Sequence, residues 1–153
     1  MSSGKKISLI VVVFLIALVI FFAPKLFSRF LDKSPRAIID GKEIRLEIVK
    51  TTEQMQRGLS FRDSLDASSG MLFVYDKYVV PSFWMKDMRF SIDIIWIRDN
   101  SVIGIEENLP VITSGTLPLY KPSELVNYVL EVNAGLIKQN GISPGDKVSF
   151  KNL

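Results

Sequence analysis

The chain has 153 residues, 48% of them hydrophobic, with 19 Lys/Arg, 16 Asp/Glu, no His and no Cys. That length allows one ordinary domain plus one further segment. Without His or Cys there can be no disulfides, Cys/His zinc sites, thiol nucleophiles, Ser-His-Asp triads or imidazole acid–base chemistry, so any catalysis has to rest on carboxylates, Lys, Tyr or a hard metal ion.

The further segment is Ile7 to Ala23, in which Ser8 is the one polar residue. As a helix it spans about 26 Å, close to a hydrocarbon core of about 30 Å. Leu26, Phe27, Phe30 and Leu31 extend its apolar face, while Lys25 and Arg29 can snorkel to the headgroups. The pattern predicts a short tail (1–6), one transmembrane signal anchor (7–23), a basic juxtamembrane linker (24–37) and a globular domain (38–153). A cleaved signal peptide is the competing reading of Lys5-Lys6 before an apolar run. Cleavage after Ala23, however, would put the bulky Phe21 where a small residue is required, with Pro24 following.

Lysines 5 and 6 face four basic residues across the span, which taken literally favours a cytoplasmic domain. Long domains translocate largely regardless of charge, and the short basic tail behaves as a signal n-region. The expectation is a single-pass plasma-membrane protein with an extracytoplasmic domain. Residues 1–36 carry six Lys/Arg against one acid, and 37–153 carry thirteen against fifteen. The basic flank therefore suits membrane lipid, and the folded part offers no basic stripe for nucleic acid.

In chain order, Ala37 to Ile39 and the alternating Ile44, Leu46 and Ile48 read as a strand pair joined at Asp40-Gly41. Thr51 and Gln54 form a capping-box pattern opening a short helix, with Arg57 in its last turn and Gly58 suited to a left-handed cap. Met71 to Tyr75, Phe83 to Met85 and Ile92 to Ile97 read as strands, and Asp99-Asn100 turns the chain into Val102 to Ile105. Asn108 to Pro122, with three prolines and Gly115, is an irregular excursion. Val126, Tyr128, Leu130 and Val132 alternate with Asn127, Glu131 and Asn133 as a further strand. A short helix over Ala134 to Gln139, closed by Gly141, then leads through Ser143 to Asp146 into a last strand, Lys147 to Lys151. The predicted fold is α+β and mainly β, a barrel-like or two-sheet domain of six to eight short strands with two short helices.

Between Arg57 and Ile97 charged residues are interleaved with hydrophobes, and charge taken out of water needs a partner or a purpose. An antiparallel hairpin of Phe83 to Asp87 with Ile92 to Ile97 would set Lys86 opposite Asp93 and Trp84 opposite Ile95. Lys86 and Asp93 then either form an ion pair that fixes register, or join Arg57 or Arg62 in a mixed-charge pocket beside Trp84. The candidate ligand-binding residues are Arg57, Arg62, Trp84, Lys86, Asp87 and Asp93. By their apolar strand setting, Trp84 and Trp96 are expected in the core.

At RGLSFRDSL, GMLFVY, FWMKDMRFSIDIIWI and YVLEVNAGLIKQNGISPGDKV the chain resembles the family called domain of unknown function 192, from about Thr51 to Phe150. The family's Trp-Met-Lys falls on Trp84, Met85 and Lys86, its Arg-Gly-Leu on Arg57, Gly58 and Leu59, and its strand aspartate on Asp93. Asp87 and Met88 stand where the family usually has Asn and Thr, and Ser91 where it usually has Pro. Family members typically follow a signal peptide or N-terminal anchor. The resemblance implies a fold and an extracytoplasmic setting, and brings no established activity.

The functional expectation is a ligand-binding module for a small anionic or sugar-like molecule, with no cofactor. One alternative is an assembly module that meets other envelope proteins, for which an exposed edge strand such as Lys147 to Lys151 would speak. The other is a carboxylate-based or hard-metal hydrolase pairing Asp87 or Asp93 with Asp63 or Asp76.

Overall fold

Seven strands, β1 (Arg36–Ile39), β2 (Lys42–Val49), β3 (Ser69–Val79), β4 (Ile92–Arg98), β5 (Ser101–Leu109), β6 (Val126–Asn133) and β7 (Val148–Lys151), form one sheet in the order β5-β4-β6-β3-β2-β1-β7. The computed structural model describes residues 33–153 and, before them, Val11 and Phe14; the expected anchor, Ile7 to Ala23, otherwise lies outside the described residues. The unit from Ser34 to Leu153 is compact in itself. Arg36 and Ala37, expected in the linker, already pair with Arg45 and Ile44 in the first hairpin.

Local sequence explains most of the elements. Asp40 and Gly41 both have positive φ (44° and 77°), the conformation of a two-residue hairpin turn, for which Asp-Gly is suited. Helix α1 (Thr52–Arg57) opens on the expected capping box: Gln54 N donates to Thr51 Oγ1, and Thr51 N donates to Gln54 Oε1. It ends at Gly58, with φ 49° and ψ −133°, a conformation outside the expected left-handed helical cap and open to glycine. α1 is the crossover between β2 and β3, which run parallel. Helix α2 (Leu136–Asn140) ends on left-handed Gly141, as expected.

The sheet buries both faces. One cluster draws on both edge strands, with Val102 of β5 and Val148 of β7 joining Ile39, Leu72, Ile95 and Leu130, and α2 adds Leu136 and Ile137. The sheet curls around this cluster into a half-barrel, and its edges meet at a bridge between Ser101 and Lys147. The other face carries Met71, Phe73, Ile94, Trp96 and Val129, and is covered by Leu59 after α1 and by Phe83, Met85 and Met88. One curled sheet thus replaces the two-sheet alternative. A single seven-stranded half-barrel with two short helices among the described residues stands within the predicted mainly-β class.

The hairpin expected between Phe83 to Asp87 and Ile92 to Ile97 does not form. β4 is already paired on both sides, with β5 and β6, so no edge is left for a third strand. The segment from Val80 to Phe90 instead crosses the outer face, held by reciprocal backbone hydrogen bonds between Phe83 and Tyr120, both 2.9 Å.

Candidate ligand-binding site

Most of the charges that looked buried in sequence are at the surface. Arg57, Lys86 and Asp87 are exposed, and Arg62 is half-buried, held by Glu47 through two 2.6 Å hydrogen bonds. Lys86 and Asp93 do not pair. Lys86 makes no ion pair among the described residues, and its backbone carbonyl accepts from Ser60 Oγ (2.8 Å), as that of Asp87 accepts from Phe61 N (2.9 Å). Asp87, at φ 56°, turns the chain there, so these two residues stitch the Arg57–Arg62 segment to the Trp84–Met88 loop through their backbone.

Asp93 is fully buried, on the inner face, opposite Val132. Its Oδ1 accepts from Asn108 N (2.8 Å) and its Oδ2 from Ile137 N (3.0 Å). The first donor lies in a β-bulge: the pairing of β4 with β5 slips between Ile92–Leu109 and Ile94–Glu106, and Asn108 has φ 54°. The second is a free N–H in the first turn of α2, whose own Gly135 has no side chain to cap it. Asp93 is therefore a strut between a bulge and a helix start, remote from the surface charges.

The outer face holds the concavity. Glu131, on the central strand β6, faces Met71 of β3 and Ile94 of β4. It is 5% exposed, and its Oε2 has no hydrogen-bond partner. Gly58 stands above it, where a Cβ would lie 3.8 Å from Glu131 Oε2 and 3.5 Å from the Phe73 ring. Phe83 packs edge-on to Phe73 (4.9 Å between centroids) and to Trp96 (5.5 Å), which fixes the loop as the second wall. Between the end of α1 and this loop opens a cavity of about 310 Å³ lined by Met55, Arg57, Phe73, Tyr75, Phe83, Trp84, Met88 and Glu131, with Thr52, Gln56, Ser60 and Ser82 among the polar lining.

Trp84, expected in the core, is 51% exposed at this cavity, whereas Trp96 is buried as expected. The difference follows from the missing hairpin: Trp96 lies in a strand covered on both faces, and Trp84 lies in the covering loop between the inward-facing Phe83 and Met85.

Electrostatically the floor is neutral. Burial pushes the Glu131 carboxyl up to about 8, against the pull of the Arg62 guanidinium, so at pH 7 it is a carboxylic acid able to donate as well as accept. Burial, reinforced by Glu131, pushes the Tyr75 phenol up to about 12. Arg62 holds Glu47 below the usual carboxylate range through their hydrogen bonds. Arg62 itself lines a second, more polar hollow with Arg45, Glu47, Ser64 and Asp66.

Of the six expected site residues, Arg57 and Trp84 meet in the cavity, Arg62 adjoins it, Lys86 and Asp87 contribute backbone, and Asp93 lies on the other face. Glu131 escapes the sequence pattern, because the alternation along its strand puts it on the wet side. The uninterrupted Tyr128-Val129-Leu130 before it carried the contrary signal, since Val129 breaks the alternation and a strand covered on both faces reads as a continuous apolar run. Among the described residues no group of three or more acidic side chains is placed to hold a metal ion.

No curated protein matches the chain. Solved crystal structures resemble it, among them the following two. One is a protein of Sinorhizobium meliloti 1021 provisionally named a transcription regulator, 30% identical, with a TM-score of 0.68 over 78% of this chain and 93% of that one. The other is a protein of unknown function from Novosphingobium aromaticivorans DSM 12444, 31% identical, with a TM-score of 0.66 over 74% and 83% of the two chains. The sequence profile described as "Uncharacterized ACR" matches residues 36–150, and the chain belongs to that family, domain of unknown function 192.

Proposed function

We propose that the domain is a small-ligand-binding module, presented outside the cell by an N-terminal membrane anchor, and that its ligand enters the cavity between α1 and the Phe83–Met88 loop. The observation that carries this reading is Glu131: a polar side chain almost wholly buried, with one oxygen unpartnered, at the floor of an open, largely apolar cavity. A buried polar atom left unpaired costs about 1–3 kcal/mol, and a ligand that supplies a donor removes that cost. Convergence of one such group with apolar walls is the common form of a small-molecule site.

The ligand therefore brings one hydrogen-bond donor to Glu131 and lays an apolar face on Phe73, Phe83 and Trp84. A sugar-like molecule meets both requirements, since its hydroxyls donate and its C–H face stacks on an indole. A small anion is served less well, because it brings no donor to Glu131 and Arg57, the cation lining the cavity among the described residues, is exposed. The name given to the Sinorhizobium relative brings regulation of transcription into view, but residues 37–153 of this chain carry a slight negative excess, which gives DNA little to hold. The test is a screen of hydroxyl-bearing and aminated small molecules against the full chain in detergent, read by intrinsic fluorescence and by Trp84 indole NMR shifts. Binders should move the Trp84 signal and leave that of buried Trp96 in place; binders that move neither would refute the site.

A further inference from the structure

We infer that the group this cavity selects is a protonated amine, held by Glu131 at the floor with its carbon body against Phe73, Phe83 and Trp84. This rests on the ligand-binding reading above and names the ligand's polar end. Three features of the cavity distinguish an ammonium from a hydroxyl. The unpartnered atom is a carboxyl oxygen, so a cation gains pairing as well as a hydrogen bond. The lining includes the rings of Phe73, Tyr75, Phe83 and Trp84, and a desolvated cation interacts favourably with aromatic rings. The nearest cation, Arg62, spends both its terminal nitrogens on Glu47, and makes no hydrogen bond to Glu131.

Burial outweighs the pull of the Arg62 guanidinium, so the carboxyl keeps its proton, and an arriving ammonium makes the ionised form favourable. Binding near neutral pH then exchanges a proton: R–NH3+ enters, the Glu131 carboxyl gives H+ to solvent, and the product is a carboxylate–ammonium pair. No bond other than the carboxyl O–H is broken. The charged and titratable groups around Glu131 are Tyr75 on β3, Arg57 on α1, and Arg62 with its partner Glu47 on β2. Tyr75 is driven above and Glu47 below their ordinary ranges, Arg57 and Arg62 are permanently charged guanidiniums, and the chain has no His. Glu131 is left as the group that couples binding to pH.

The experiment uses three probes that differ at one end, 2-phenylethylamine, 2-phenylethanol and 3-phenylpropionate, titrated calorimetrically into the full chain in detergent at pH 6, 7 and 8. The expected order is amine tightest, at least ~10-fold above the alcohol at pH 8, with the acid weakest. Amine affinity should rise several-fold per pH unit, and heats in buffers of different ionisation enthalpy should show proton release. Glu131→Gln, a near-isosteric change that removes the buried acid, should abolish both the pH dependence and the preference for amine. Alcohol binding equal to or tighter than amine binding would overturn the amine assignment and leave the ligand-binding reading standing. Amine binding that survives Glu131→Gln unchanged would also overturn it. Failure of all three probes to bind would overturn both.

Discussion

Asp93 and Glu131 occupy adjacent strands one residue out of register, Asp93 opposite Val132 and Glu131 opposite Ile94, so their carboxyls point to opposite faces of one sheet. The inner one is saturated by two backbone N–H groups, and the outer one ends in an unpartnered oxygen. A single shift of register, with a side-chain period of two, separates a structural acid from a candidate binding acid.

Asp93→Ala should be strongly destabilising for a reason other than a broken ion pair. It strands the N–H of Ile137 in the core at the start of α2, at about 1–3 kcal/mol for an unpaired buried donor, removes the part-buried bond from Asn108 N that pins the bulge, and leaves a cavity where the carboxyl was. A loss of ~3 kcal/mol or more in urea unfolding is expected. Lys86→Ala, at an exposed residue with no ion pair, should change stability by no more than about 0.5 kcal/mol. Similar losses for the two variants would restore the Lys86–Asp93 pair.

Glu131 makes stability fall as pH rises. Its carboxyl titrates at about 8 in the fold against an ordinary value of 4.5. Below about 4.5 both folded and unfolded chains hold the proton, and Glu131 carries no penalty. Between 4.5 and 8 the unfolded chain loses the proton while the fold keeps it, so stability drops continuously, and above 8 the full penalty, on the order of 5 kcal/mol, is reached. Glu131→Gln should therefore match the parent near pH 4.5 and exceed it increasingly toward pH 8.5, as measured by denaturant midpoints in matched buffers. A constant difference across that range would show Glu131 ionised throughout.

Elements specified by short-range chemistry were legible in the sequence. The Asp40-Gly41 turn, the Thr51/Gln54 box and the Gly141 cap each depend on two or three neighbouring residues, and each stands where the residues place it. Sheet order was not legible, because pairing is decided by which edges remain open. Phe83 to Met85 has the apolar composition of a strand, but β4 finds β5 and β6 on either side, and the loop becomes a cover. The Lys86–Asp93 pair and the burial of Trp84 depended on that hairpin and fell with it. Arg57 and Trp84 reach the cavity through long-range contacts that no local periodicity encodes.

At Gly70 the packing beneath the site leaves no room for a side chain. A Cβ there would lie 2.7 Å from Leu130 Cδ1, 2.8 Å from the Glu131 carbonyl oxygen and 3.0 Å from Val132 Cγ1. A backbone atom of β6 cannot rotate away, so Gly70→Ala must push β3 and β6 apart. A cost of about 1–3 kcal/mol, typical of overpacking, is expected, with chemical-shift changes centred on Leu130 to Val132. Because Glu131 hangs from the displaced strand, the variant should also weaken ligand capture; unchanged stability would show that β6 yields freely at this point.

Trp84 offers a direct check on the cavity wall. Its indole is half exposed while that of Trp96 is 2% exposed, so acrylamide should quench one of two emitters, the redder one, and spare the other. Trp84→Phe should leave a single blue-shifted, weakly quenched emission. Since Trp84 lies outside both core clusters, its truncation to Ala should alter stability by about 0.5 kcal/mol or less. The same truncation removes one face of the cavity, and stacking on such a face is worth ~1 kcal/mol, so binders of the Glu131 pocket should lose roughly fivefold in affinity. A large stability loss without an effect on binding would place Trp84 in the core, as its sequence setting suggested.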